Sequence, residues 1–339
     1  MTKRKFITLI LSASAFLALI LDCKTGFSSA REGLILCTST LIPSMFPFFV
    51  LSILLTNSMA GHRMRFLRPV ATLCRIPEGA ESLLAIGLLG GYPVGAQNVI
   101  SAYRQGILSQ EDTQRMIAFC NNAGPAFLFG YLGTVFENPI YPWMIWIIHI
   151  VSALFVGWIL PFGTTKSAIV PSRKSVSLSQ ALNQALRIMG QVCGWVILFR
   201  VLIGFLERWL FWAIPKSLSI FLTGLLELSN GCIQLTTFPS NGLRMVMAST
   251  FLSFGGICVL MQTHSIAGSF PIPMYLPGKA LQGFLAFMLS YLLQFLIPDS
   301  NPCILPPFLL AIIGCCSVGL MSVLRKARNN SSNLQESIV

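Results

Sequence analysis

Apolar runs of about 20 residues, the length that crosses a bilayer, recur along this chain and are separated by short segments that hold most of its charge. They lie near 6–22, 34–58, 116–135, 143–163, 190–206, 245–263, 279–297 and 305–324. Backbone groups in lipid must be satisfied within the protein, so such runs fold as helices. Only 10% of residues are charged, against about 25% in a soluble domain. These patterns predict an all-α polytopic membrane protein with about eight transmembrane helices. The net charge of +12 does not imply nucleic acid. The basic residues flank the spans, where they set orientation.

Two further apolar segments, near 82–98 and 218–238, are interrupted. The first contains Gly87-Leu-Leu-Gly-Gly-Tyr-Pro-Val-Gly-Ala-Gln97, the second Gly224-Leu-Leu-Glu-Leu-Ser-Asn-Gly-Cys-Ile-Gln234. Both open on Gly-Leu-Leu and close on Gln. Each is followed by another break, Asn121-Asn122-Ala-Gly-Pro125 and Ser253-Phe-Gly-Gly256. Paired interruptions in two halves of a membrane chain point to a transporter's binding site. We read the interrupted segments as re-entrant hairpins.

With the N-terminus inside, 17 of the 23 Lys and Arg residues fall on the cytoplasmic side and 5 on the other. Arg200 alone lies inside a span, and Lys279 is counted at a cytoplasmic edge. On this layout the hairpins enter from opposite sides, so residues 34–163 and 180–297 read as inverted repeats. Residues 1–33 form a first helix and a short external loop. Residues 164–179 form a cytoplasmic linker, 298–325 a last helix and 326–339 a polar tail, with both termini cytoplasmic. The one Ala-x-Ala, Ala13–Ala15, lies mid-run, so the first helix is expected to stay uncleaved.

Glu227 is the one acidic residue this layout places in the membrane, where a carboxylate costs about 2.5 kcal/mol or more. It reads as a ligand for a coupling proton, cation or substrate, or as a partner of Arg200. Arg200 either forks an anion or snorkels. Asn121 and Asn122 precede Gly124 and Pro125. The proline frees a carbonyl, and the helix after it would turn its positive end to a cavity; a plain kink is the alternative. Ser253 is the counterpart in the second half. Gln97, Asn98, Asn230 and Gln234 line the same cavity or satisfy hairpin backbone.

Arg104, Glu111, Asp112 and Arg115 read as a solvated connector. His62, His149 and His264 stand isolated, and ten cysteines without a CxxC read as small hydrophobes. No hydrolase, zinc-protease or nucleotide motif supports an enzyme, and no cofactor or metal is expected. The expected partners are the bilayer, a small-molecule substrate, a coupling proton or cation, and further copies of this chain.

Gly90–Gln97, Arg104-x-Gly106 and Phe119–Gly130 resemble the signature of the YlbJ-type sporulation integral membrane proteins, also called SpoVV. Ile42–Phe49, Leu226–Gly231, Ser253–Gln262 and Gly278–Gln282 agree, and the resemblance covers about residues 34–297. That family carries the nucleoside-recognition Gate domain shared with concentrative nucleoside transporters and ferrous-iron permeases. The resemblance implies a transporter of endospore formers that moves dipicolinate out of the mother cell across the outer forespore membrane. Arg200 and the helix end after Pro125 would then offset the anion's charge. Asn121, Asn122, Gln97 and Asn230 would hydrogen-bond it, and Glu227 would take the coupling ion. A nucleoside or nucleobase permease is the alternative within the class. A structural protein of spore-envelope assembly is the alternative outside it.

Overall fold

A computed structural model describes residues 3–59, 64–160 and 176–297. Most of the expected linker, the last span and the tail lie outside the described residues. Those described are helical, with no strand among them. Five helical stretches are long and apolar enough to cross a membrane: Cys23–Leu55, Ile140–Ile159, Leu178–Trp209, Asn241–Ala267 and Tyr275–Leu296. Phe16, Leu51, Trp143 and Leu198 are exposed on the outside, as lipid-facing side chains must be.

The chain opens with α1 (Lys3–Leu21) and α2 (Cys23–Leu36), which runs through a π turn at Cys37–Leu41 into α3 (Ile42–Met59). Next come α4 (Arg68–Leu73), α5 (Glu81–Leu89), α6 (Val94–Arg104) and α7 (Gln110–Phe119). Beyond the break at 120–125 the helix resumes as a π stretch, Ala126–Tyr131, and a 3-10 turn, Leu132–Val135. Then follow α8 (Ile140–Ile159), α9 (Leu178–Trp209), α10 (Lys216–Leu226), α11 (Leu228–Gln234), α12 (Asn241–Phe254), α13 (Gly256–Ala267) and α14 (Tyr275–Leu293).

The element order occurs twice: a long helix, a short helix pair, a broken helix and a closing helix. The packing partners follow the same exchange. α3 packs on α5 and on the π stretch, while α9 packs on α10 and α13. α7 packs on α8 and α14, while α12 packs on α14 and α8.

Three expectations are corrected. The external loop expected within 23–33 is the helix α2, whose start is capped by the Asp22 side chain accepting from Thr25 N at 3.2 Å. Small residues let it lie along α9: a Cβ on Gly33 would come within 3.0 Å of the Ile197 Cα. The helix after Pro125 begins as a π stretch, in which the Gly124 carbonyl accepts from both Phe127 N and Leu128 N. Of the charged connector expected to be solvated, Arg104 and Glu111 are exposed but Asp112 and Arg115 are not. Arg115 and Asp112 are each about 1% exposed, and Arg115 donates to the Cys74 carbonyl at 2.7 Å and to that of Arg75. A loop whose carbonyls have no helical partner takes its donors from the guanidinium.

Candidate functional site

The breaks and the tips of the short helix pairs meet at one place. Gly255 and Gly256 sit at φ +85° and +79°, a region open to glycine and strained for other residues. A Cβ on Gly255 would meet the Tyr92 hydroxyl, and one on Gly256 would meet the Leu226 carbonyl, at 3.0 and 3.2 Å. One pair thus leans on this break through Tyr92 and the other through the end of α10. Tyr92 donates to the Leu252 carbonyl at 3.1 Å, and Tyr131, from beyond the first break, donates to the Ser229 carbonyl at 3.0 Å.

A small cavity of about 30 Å³ lies between them. Tyr92, Ala123, Gly124, Glu227, Ser229 and Gln262 supply its polar and backbone lining, and Leu41, Met45, Val192 and Val196 line it from α9 and the π turn–α3 stretch. It has room for roughly two waters, so any organic ligand requires the tips to part.

Glu227 is buried at this cavity and caps α11. Its carboxylate accepts from Ser229 N at 3.0 Å, Asn230 N at 2.7 Å and Asn230 Nδ2 at 2.6 Å. Asn230 therefore serves the carboxylate. Glu227 forms no ion pair among the described residues.

The Asn pair is held by the protein. Asn121 Oδ1 accepts from Ala96 N at 3.2 Å, and its Nδ2 donates to Thr263 and Tyr275 hydroxyls at 3.1 and 2.9 Å. Asn122 Nδ2 donates to the carbonyls of Gly87 and Phe119, and its Oδ1 accepts from Gln282 Nε2 at 3.0 Å. The groups freed by the break also find protein partners. Ala123 N donates to His149 Nε2 at 3.2 Å, and the Asn121 carbonyl accepts from Lys279 Nζ at 3.1 Å. With Nε2 accepting, His149 carries its proton on Nδ1 and donates to Ser253 Oγ at 3.0 Å. Of the two readings of this break, a ligand-receiving helix end and a kink bonded to its neighbours, the contacts match the second: α8 and α14 receive the freed groups.

Lys279 is the residue that sequence reasoning misplaced. It lies in the second turn of α14, about 1% exposed, rather than at a cytoplasmic edge. Its ammonium donates to the Asn121 carbonyl, Asn122 Oδ1 and Gln282 Oε1. It also sits 5.1 Å from the centroid of the Tyr92 ring, a wall of the cavity. No carboxylate pairs with it among the described residues. The signal was present, since a lysine three residues before a glutamine in an apolar helix is an intramembrane ionisable group. The same signal marks His149, which is not isolated.

Arg200 is the clearest correction. It pairs with Glu32 at 2.6 Å and Glu207 at 3.0 Å, at the seam of α2 and α9, and not with Glu227. Gln234 joins that group, donating to Glu207 Oε1 at 3.2 Å. Neither lines the cavity. Glu32 is about half exposed, and pairs of that kind contribute about 0–1 kcal/mol. Arg200→Leu should therefore leave ligand binding within about twofold of wild type, a difference of about 0.4 kcal/mol. A tenfold loss in an equilibrium binding assay would return Arg200 to the site.

Of the remaining sequence-predicted residues, Gly124 lines the cavity, Pro125 starts the π stretch, and Ser253 is buried behind it on His149. Gln97 opens into a separate cavity.

No protein-family model and no solved structure matches the chain. Among curated proteins it is similar to the sporulation integral membrane protein YlbJ of Bacillus subtilis (strain 168), 24% identical over 342 residues that cover 85% of this chain and 83% of that protein. With five apolar helices of bilayer length, the chain is an integral membrane protein, all-helical in its described residues and similar over most of its length to a sporulation protein.

Proposed function

We propose that this protein is a membrane transporter acting in sporulation, and that it moves a small planar anion, dipicolinate, across the outer forespore membrane. The observation that carries the reading is the cavity lined by both helix-pair tips, by the first break at Ala123 and Gly124, and by α13, the helix that leaves the second break. A transporter of two inverted halves binds its substrate at such a junction, near the bilayer midplane, and rocks one half against the other. The exchange of packing partners between 34–163 and 180–297 supports that relation of the halves. The likeness to YlbJ supports the cellular role.

The charges suit an anion. Lys279, set behind Tyr92, supplies the positive field first sought in Arg200. It is a buried cation without a carboxylate partner among the described residues, a costly state that a bound carboxylate offsets. Glu227, on the other tip, takes the coupling proton or cation. Parting of the tips exposes both to the ligand, and closure returns Tyr92 to the Leu252 carbonyl.

The test is binding and proteoliposome uptake by purified protein, with dipicolinate, uridine and adenosine compared side by side. Dipicolinate should bind and be taken up in preference to both nucleosides. A preference for uridine or adenosine would transfer the site to the permease reading, and no binding of any of the three would favour the assembly reading. Glu227→Gln keeps one acceptor oxygen for the α11 cap, so the protein should insert normally while uptake falls about tenfold, or roughly 1.4 kcal/mol. Uptake at the wild-type rate would confine Glu227 to its capping role.

A further inference from the structure

A second cavity, of about 230 Å³, opens between the last turns of α3, the face of α6 that carries Val94 to Ser101 and the start of α9, toward the side that the charge bias assigns to the cytoplasm. Its polar lining is made of neutral groups: Asn57, Gln97, Asn98, Ser101 and Gln184. Among the described residues no Lys, Arg, Asp or Glu side chain lines it. Asn57 Nδ2 donates to the Ile53 carbonyl and Asn98 Nδ2 to the Val94 carbonyl, at 2.7 and 2.9 Å. Both asparagines therefore leave their Oδ1 acceptors to the cavity. Gln97 and Gln184, on facing helices, have amides that no described protein group engages. The cavity thus holds unused donors and acceptors in a space far larger than that of the central cavity, enough for one small ring.

Its position relative to the central cavity follows from helix geometry. Ile53 lines the outer cavity and Met45 or its neighbours the central one. Likewise Gln184 lines the outer and Val192 the central. Each pair is eight residues apart on one helix, or about 12 Å. Phe49 and Ile188 stand midway, four residues from either member, and so on the same helix face. Both are buried, in one apolar cluster with Val94 of the hairpin.

We propose that the outer cavity is a second binding site. It takes the transported solute by neutral amide hydrogen bonds before the solute passes an apolar plug of Phe49, Val94 and Ile188. The ligand class is a small, single-ring molecule with carboxylate or carbonyl acceptors and a ring nitrogen or hydroxyl. Gln97 and Gln184 donate to the acceptors. A neutral lining holds such a solute more weakly than the charged central site does, which lets it move inward. This inference rests on the transport reading above.

The experiment uses dipicolinate and the full chain. Calorimetric titration of wild type should show two sites, the weaker one lost in the Gln97→Leu/Gln184→Leu double variant. In proteoliposomes that variant should raise KM about tenfold at an unchanged maximal rate. Val192→Cys, in the central cavity, should react with a small charged thiol reagent added at the outer cavity's face only when Phe49→Ala is also present. A single site in wild type, or an unaltered KM in the double variant, would overturn the second site while leaving transport intact. Equal labelling of Val192→Cys with Phe49 in place would remove the plug. Wild type that neither binds nor moves dipicolinate would overturn the transport reading, and this inference with it.

Discussion

Gly95→Ala should yield little folded protein. Gly95 stands where α6 crosses the broken stretch, and a Cβ there would overlap the Cys120 carbonyl oxygen and come within 2.9 Å of the Asn121 Cα. These are backbone atoms, so no side chain can swing aside. The stretch cannot retreat either. Asn121 is tied to Ala96, Thr263 and Tyr275, and Ala123 to His149. Overpacking a tight core costs about 1–3 kcal/mol and more where the backbone is blocked; here the upper end or beyond is expected. Gly190→Ala is the control. Nothing lies within 4 Å of that site in α9, and alanine in a helix interior gains about 0.5–1 kcal/mol over glycine. Thermal melts and monodispersity in detergent would measure both. A Gly95→Ala protein melting like wild type would mean that the first helix pair does not seat on the break.

Lys279→Met should abolish dipicolinate uptake, by about a hundredfold or roughly 2.7 kcal/mol, in a protein that still inserts. Two effects on stability oppose each other. Losing the ammonium strands the Asn121 carbonyl and Gln282 Oε1, each a loss of about 1–3 kcal/mol if nothing else satisfies it, while Asn122 Oδ1 keeps its bond from Gln282 Nε2. Removing an unpaired buried charge recovers several kcal/mol. Methionine also keeps the volume along α14. Binding has no such compensation, because Lys279 is the cation next to the Tyr92 wall of the cavity. Binding and uptake at matched expression would decide the point. Near-normal uptake by Lys279→Met would place the anion's countercharge elsewhere.

The breaks were legible in the sequence because they are local. Glycine and proline interruptions at 90–93, 120–125 and 255–256 change the backbone where they stand, and apolar runs announce their own burial in lipid. The repeated order of helix, helix pair, break and helix could therefore be read before any contact was known. The partners could not. Lys279 and Asn121 are 158 residues apart, His149 and Ser253 104, Arg200 and Glu32 168. A buried polar group needs some partner, yet nothing in its own neighbourhood says which. Arg200 and Glu227 were matched as the two charges within spans, on the assumption that Lys279 lay in water and that Glu32 and Glu207 lay outside. What the sequence by itself determined was where the paired interruptions fall and their two-fold recurrence. Only the tertiary structure decided which helix supplies the group that each interruption exposes, because that choice depends on distances the chain acquires after its helices have packed.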